Sequence, residues 1–588
     1  MWRAVRLVSA LVVLVLFVAS FINLTDRELA EWELAVQQVQ LVPALIRALR
    51  GVAGAAWVLA GLLLVTLVFG RVYCSFLCPL GILQDGVIRL RRVVDALRGR
   101  RRKGAAVRYA PPVPYVRSVA LVPVILLIVC SSVALLVWLD PYTLAARFAA
   151  AVLNPLAAEL ARLVPGADVS APSWGRYGWV GVLVAAGVIM VPLGMAWWRG
   201  RLYCNTVCPV GALLGLLSRR PLLRLGMSPD SCVRCGQCLK VCKANCIDLK
   251  HHRVDTSRCV NCYDCVSACP HGLRPRLTNP FRRPAGAERA EAAPAEPAAP
   301  RAGASRRAFM GTLACGVPAL LAACGEKRAE EVSGNPAEQG DNAARAATPP
   351  GSRHVDRFLD RCTGCGLCIS ACPTRVLQPA TMQHGFRGVM KPHLDFSKGF
   401  CNFDCNICST VCPEGAILPL ELAEKKKTQL ALAAFDRSHC IVQQSHTECG
   451  ACTEHCPTKA LDTREEQFPR CEAEKCYACH ACVETCPKKA ISLETAADGS
   501  ARVVINNKLC IACGKCARVC PSGAMTVTRL LIPTLSPELC IGCGACFYAC
   551  PARPTRAMQL TPRARHLEAQ VRREAPAENP VSEEEFPF

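Results

Sequence analysis

Eight times along the chain, four cysteines recur at or near the spacing C-x2-C-x2-C-x3-C, and most of the runs close on Cys-Pro. Two runs stand together: Cys232, Cys235, Cys238 and Cys242, then Cys259, Cys262, Cys265 and Cys269. Six more follow residue 353. They begin with Cys362, Cys365, Cys368 and Cys372, then Cys401, Cys405, Cys408 and Cys412, with one extra residue in the first gap. Cys440, Cys449, Cys452 and Cys456 carry a longer insertion there, and Cys476, Cys479, Cys482 and Cys486 are regular. The last two runs are Cys510, Cys513, Cys516 and Cys520, and Cys540, Cys543, Cys546 and Cys550. In this pattern three closely spaced thiolates curl around one [4Fe–4S] cluster, while the fourth ligates the neighbouring cluster of a two-cluster unit. Proline fixes φ and removes a backbone donor, which redirects the chain after that fourth ligand. By crossed ligation Cys269 joins Cys232, Cys235 and Cys238, and Cys242 joins the second trio. The first run lacks the proline and offers Cys246 as a spare, so Cys242 is its least secure member. The pattern predicts about eight [4Fe–4S] clusters and electron carriage.

Eight runs of four use 32 of the 41 cysteines. A disulfide framework suits small secreted domains, but two-residue spacings make poor disulfides. Cys476-Tyr477-Ala478-Cys479-His480 is formally a haem c attachment signature. It lies inside a complete run ending at Pro487, and the cluster reading covers more of its residues. No G-x-G-x-x-G follows a strand and no P-loop is present, which argues against a flavin or nucleotide enzyme.

A second constellation is a repeat offset by 130 positions. Gly70-Arg71-Val72-Tyr73-Cys74-Ser75-Phe76-Leu77-Cys78-Pro79-Leu80-Gly81 returns as Gly200-Arg201-Leu202-Tyr203-Cys204-Asn205-Thr206-Val207-Cys208-Pro209-Val210-Gly211. Each copy follows an apolar stretch, so the two halves imply a pseudo-two-fold axis along the membrane normal. Four thiolates, Cys74, Cys78, Cys204 and Cys208, suffice for an additional redox site. Free thiols with a packing role are the alternative reading.

The elements that must position these residues begin with apolar stretches, a bilayer span taking about 20 helical residues. Gly51–Gly70, Arg117–Trp138 and Tyr177–Trp198 are long enough, and the slightly shorter Arg6–Ile22 reads as an uncleaved first helix. Net charge is +23 and unevenly spread. Arg89, Arg91, Arg92, Arg98, Arg100, Arg101, Arg102, Lys103 and Arg108 follow the second stretch, and Arg199, Arg201, Arg219, Arg220 and Arg224 follow the fourth. Positive residues stay inside, which places the N-terminus, the 71–116 loop and the 231–270 cysteines in the cytoplasm. Topology accounts for the arginines better than nucleic-acid binding does. Residues 281–304 are a Pro/Ala/Glu/Arg linker. Then Ser305-Arg306-Arg307-Ala308-Phe309-Met310 and the run to Ala323 resemble a twin-arginine export signal, with a lipobox-like end at Cys324. The expected order is therefore a four-helix membrane domain (1–225), a cytoplasmic ferredoxin pair (226–275), a linker (276–304), the signal (305–324), a disordered tether (325–352), a six-run exported polyferredoxin (353–560) and a charged tail (561–588). Gaps between runs suggest three outer modules, near 353–415, 436–490 and 505–555. The fold class is an α-helical membrane domain with four transmembrane helices plus α+β ferredoxin-like two-[4Fe–4S] modules.

These motifs resemble the NapH/NosR-type iron–sulfur membrane proteins over about residues 1–275. After Ser305 the chain is similar to the NapG/MauM-type Tat-exported ferredoxins. The resemblance implies residence in the bacterial inner membrane and a quinol dehydrogenase-type component. Electrons would pass from the quinol pool, or a cytoplasmic donor, to a periplasmic oxidoreductase or cytochrome, with the twin-arginine translocase as export partner. Residues 353–588 would then lie on the periplasmic side, with release as a lipoprotein at Cys324 left open. The chain departs from the pattern by fusing both partners and by carrying six outer runs where the G-type proteins have four. A redox-dependent maturation or regulatory protein and a plain electron reservoir are the other function classes. Asp140-Pro141-Tyr142 reads as a helix end rather than a quinol proton acceptor.

Overall fold

The computed structural model describes residues 2–22, 31–99, 121, 136–164, 177–227, 231–270, 273–277, 346–495, 501–507 and 509–570. Five helices frame the first part: α1 (Trp2–Ala19), α2 (Ala53–Phe69), α3 (Pro79–Leu97), α4 (Pro141–Ala161) and α5 (Gly178–Arg199). By length and composition α1, α4 and α5 can cross a membrane, and α2 is a shorter apolar helix. The 22 residues of α5 extend about 33 Å, against a hydrocarbon core of about 30 Å. Val8, Leu11 and Val15 of α1, Leu64 of α2, and Leu183, Met190 and Val191 of α5 point outward uncovered. Exposed Trp2, Trp57, Trp179 and Trp198 stand near helix ends, where indoles favour the membrane–water interface. The chain is a membrane protein.

Three of the four expected spans are helices, and most of the fourth, at 117–138, falls outside the described residues. Helix α4 was not expected. Arg147, Pro155 and Glu159 interrupt its apolar run, which hides it in the sequence. Its first turn starts from Asp140, whose carboxylate accepts from the Thr143 backbone N–H at 2.8 Å, with Pro141 at the first helical position. A π-helical stretch at Ala149–Leu153 lies midway, and more than half of the helix is buried within the protein.

Each of three long helices touches one ferredoxin region at one end and approaches the other at its opposite end. At the start of α1, Trp2 stacks near Tyr263 and Arg6 pairs with Asp264, while Phe17 near its end meets Tyr142 edge-on. Just before α2, Arg50 donates to the Glu414 carbonyl, and at its end the Phe69 carbonyl accepts from Asn261. Before α5, Tyr177 Oη donates to the Gly366 carbonyl at 3.0 Å, and at its end the Arg199 carbonyl accepts from Asn245 at 3.2 Å. One buried core runs from Cys259 and Cys265, through Cys74, Cys78, Cys204 and Cys208, to Cys362, Cys365, Cys368 and Cys372.

The outer region includes residues ahead of 353, because Ala347 bridges Leu394 and Thr348 meets His566 at 3.1 Å. Two long antiparallel ribbons organise it. Strand β1 (Thr428–Phe435) pairs with β6 (Met558–Glu568), and β2 (Leu461–Cys471) pairs with β5 (Met525–Leu535). A shorter pair, β3 (Ile491–Thr495) and β4 (Ala501–Ile505), caps the inner unit. The ribbons nest one two-run unit inside another, so the expected division at 436–490 and 505–555 is corrected. Strand β2 leads away from the 440–456 run, and β5 returns eleven paired residues later to place the 540–550 run beside it. Loops between runs cannot reveal this, because pairing is set by strand register. The proposed tail is likewise corrected up to residue 568, which belongs to β6. The 305–324 signal and Cys324 lie outside the described residues.

Candidate iron–sulfur sites

Short cavities stand where crossed ligation requires them. One is lined by Cys232, Cys235, Cys238 and Cys269, with Met227, Leu249 and Leu273 as apolar walls. Its neighbour is lined by Cys242, Cys259, Cys262 and Cys265 among Leu225, Ile247 and Val260. Cys246 lines the same space, its Sγ 3.8 Å from that of Cys242, so both remain in reach of the site. In the outer region Cys440, Cys449 and Cys452 gather with Cys550, and Cys540, Cys543 and Cys546 with Cys456. Cys510, Cys513 and Cys516 gather with Cys486, while Cys482 neighbours Cys476, Cys479 and Cys520. Cys471 stands beside Cys476. In the first outer unit, Cys368 neighbours Cys362, Cys365 and Cys412, and Cys408 neighbours Cys401, Cys405 and Cys372.

Three cysteines from one run and the fourth from another, around an apolar space, is the donor set a [4Fe–4S] cube takes. All 38 described cysteines are free thiols. The loops that wrap these spaces turn through left-handed residues directly after the second cysteine, as at Tyr263 and His480. His480 thus shapes a cluster loop, which favours the cluster reading of that segment over haem.

Two polar junctions tie the sites to the helices. On the 232–269 side, Asp85 of α3 accepts a hydrogen bond from Arg201 Nε at 2.9 Å, and pairs with the Lys243 ammonium at 3.1 Å and with Arg6 of α1. Lys243 bridges onward to Asp264 at 3.0 Å, joining α1, α3, the second cysteine motif and the ferredoxin pair. Burial pulls the Lys243 ammonium down to about 8. On the other side, Arg147 of α4 donates to the carbonyls of Thr363 at 2.6 Å and Gly364 at 2.8 Å, inside the first outer cysteine loop. Gly366 has φ +84°, and a Cβ there would stand 2.4 Å from the Tyr177 hydroxyl, so only glycine admits this contact. Burial pushes the Glu414 carboxyl up to about 7, although Thr363 donates to it from backbone and side chain at the same junction. Of these junction residues sequence reasoning singled out Arg201, as part of the repeated motif, and not its partners. Asp85 offered a faint signal, a lone carboxylate just after Cys78-Pro79 in an otherwise basic stretch.

The repeated motif closes on itself. Cys74, Cys78, Cys204 and Cys208 are all buried, and Cys78 and Cys208 each lie within electrostatic range of the other copy's thiols. Gly81 N–H donates to Cys78 Sγ at 3.4 Å and Gly211 N–H to Cys208 Sγ at 3.3 Å. A Cβ on Gly81 or Gly211 would collide with the Cys74 or Cys204 carbonyl, at 2.2 and 2.1 Å.

Comparison with known proteins agrees with this geometry. Residues 51–102 and 178–227 each match a family described as "4Fe-4S binding domain", and residues 447–460 match another so described. Residues 231–273, 361–417, 475–524 and 502–551 match families described as "4Fe-4S dicluster domain". The chain carries multiple [4Fe–4S] sites. Among relatives, it is 33% identical over 88 residues to the "Putative electron transport protein YccM" of Escherichia coli, covering 15% of this chain and 24% of that protein. It is 32% identical over 111 residues to the "Ferredoxin-type protein NapG" of Escherichia coli, covering 18% and 47%. It is 27% identical over 144 residues to the "Methylamine utilization ferredoxin-type protein MauM" of Methylophilus methylotrophus, covering 23% and 63%. The chain thus spans less than two thirds of the length of each of these relatives.

Proposed function

We propose that the chain carries electrons across the bacterial inner membrane, from the quinol pool or a cytoplasmic donor to a periplasmic oxidoreductase. The observation that supports this most is the attachment of two cysteine-rich regions to opposite ends of the same apolar helices. The 231–270 pair packs where α2 and α5 finish, and the 361–417 unit packs beside Arg50, Arg147 and Tyr177. Bound clusters would supply one-electron relay sites at the eight cysteine groups named above. The protein's own contribution is positional: Arg147 and Tyr177 fix the first outer loop to the membrane part, and Asp85 with Lys243 fixes the inner pair. The arginines after α2 and α5 favour a cytoplasmic 231–270 and a periplasmic 346–570. Export of the second part through Ser305–Met310 completes this reading.

The test is anaerobic mixing of the purified, cluster-loaded chain with a quinol analogue, watched by EPR. Reduction of the clusters supports the quinol side. No reduction by quinol, with ready reduction by a low-potential ferredoxin, would move the donor to the cytoplasm.

A further inference from the structure

We propose that Cys74, Cys78, Cys204 and Cys208 jointly hold one further iron–sulfur cluster, shared across the pseudo-two-fold axis and set between Arg71 and Arg201. Its existence stands on the geometry alone; its use as a relay rests on the electron-transfer reading above.

The two copies interlock through their arginines. Arg71 donates to the Cys204 carbonyl at 2.8 Å and lies 3.8 Å from its own motif's Cys74 Sγ. Arg201 donates to the Cys74 carbonyl at 2.7 Å and lies 4.0 Å from Cys204 Sγ. Four buried thiols and two fully buried guanidinium groups thus surround one axis.

Charge supplies an independent observation. Arg201 is neutralised by Asp85, but the position of Asp85 in the second copy is occupied by Gly215. Arg71 therefore meets no carboxylate among the described residues; its partners are Asn205 and the carbonyls of Ser257 and Cys204, and its Nε has none. An unpaired buried charge costs several kcal/mol even after relaxation. Arg6 and Lys243 face Asp85, Asp264 and Cys262 of the inner pair, so their charge is met there. Arg71 is left facing the thiols of the motif, and a doubly positive cluster core with four thiolates, being doubly negative, would set a countercharge directly beside it.

The place also suits a relay. Ser75 donates to the Val260 carbonyl at 2.6 Å, between Cys259 and Cys262 of the inner pair. Tyr203 donates to the Leu139 carbonyl at 2.7 Å, next to the cap of α4, the helix that holds the first outer loop.

The experiment is iron and sulfide analysis with Mössbauer spectroscopy on the anaerobically purified full chain, for the unchanged protein and for Cys74→Ser, Cys78→Ser, Cys204→Ser and Cys208→Ser. Serine is a far poorer ligand for a soft metal. The unchanged chain should hold iron beyond that of eight [4Fe–4S] clusters, and each variant should lose the same single spectral component. Arg71→Gln should keep that component and lower its midpoint potential, leaving the others in place. If the serine variants do not accumulate, the iron count and the Arg71→Gln shift decide. Iron fully accounted for by eight clusters, with no component sensitive to Arg71, overturns the proposal. A ninth component that quinol cannot reduce would leave this site standing and remove only the quinol reading.

Discussion

Arg147 of α4 reaches into the first outer cysteine loop and donates through Nε to the Gly364 carbonyl at 2.8 Å. That bond, and its neighbour to Thr363, fastens the membrane helices to a segment bounded by Cys362 and Cys365. Hydrogen bonds from a charged donor contribute about 1.5–3 kcal/mol each. Arg147→Ala should therefore loosen the junction without emptying the sites. Limited proteolysis should cut the outer region free faster, and the outer clusters should be reduced more slowly, at unchanged iron content. Unchanged proteolysis and reduction would show that the junction is held elsewhere.

Asp85 serves three cations at once, Arg6, Arg201 and Lys243. Removing one partner of a buried ionic group costs about 3–5 kcal/mol, because the remaining charge stays buried. Asp85→Asn should lower the thermal unfolding midpoint in detergent markedly, and Asp85→Glu should recover part of it. An unchanged midpoint for Asp85→Asn would mean that water reaches the network.

Crossed ligation makes a prediction that simple run-by-run reading does not. Cys550→Ser should empty the site of Cys440, Cys449 and Cys452, and Cys520→Ser the site of Cys476, Cys479 and Cys482. EPR on the reduced variants, with double mutants to identify each lost signal, checks the pairing. Loss of the Cys540 site on changing Cys550 would contradict crossed ligation, and loss of the Cys510 or Cys476 site instead would contradict the nesting described above.

How far the sequence leads is clear from these cysteines. Run spacing named the cysteines of eight runs and, for the 232–269 pair, the crossing of the fourth ligand, because both depend on a few adjacent residues. The nesting of one outer unit in another was not legible, since it follows from the eleven-residue register of β2 with β5. Helix α4 was missed for a similar reason. Its charged Arg147 reads as a break in an apolar run, while in the fold that charge is spent on two carbonyls of a distant loop. The convergence of the two Cys-x3-Cys-Pro motifs was foreseen from their repeat, but Arg71 and Arg201 gain meaning only when the copies face each other.

Export is tested at Arg306 and Arg307. Changing both to Lys keeps the charge and removes the planar fork that recognition of such a signal uses. The six-run region should then stay in the cytoplasm while the 231–270 pair keeps its iron. Unchanged periplasmic location by reporter fusion after residue 420 would reduce the segment to a linker.

The most direct test of the central claim uses sealed vesicles in which the full chain is oriented with its 231–270 pair outside. Dithionite, which does not cross the bilayer, is added to the bulk solution, and the clusters of the enclosed six-run region are followed by EPR. The account predicts that the enclosed clusters are reduced, and that Cys74→Ser or Cys204→Ser blocks this while the 231–270 clusters still respond. Reduction confined to the 231–270 clusters in the unchanged protein would contradict electron passage through the membrane part.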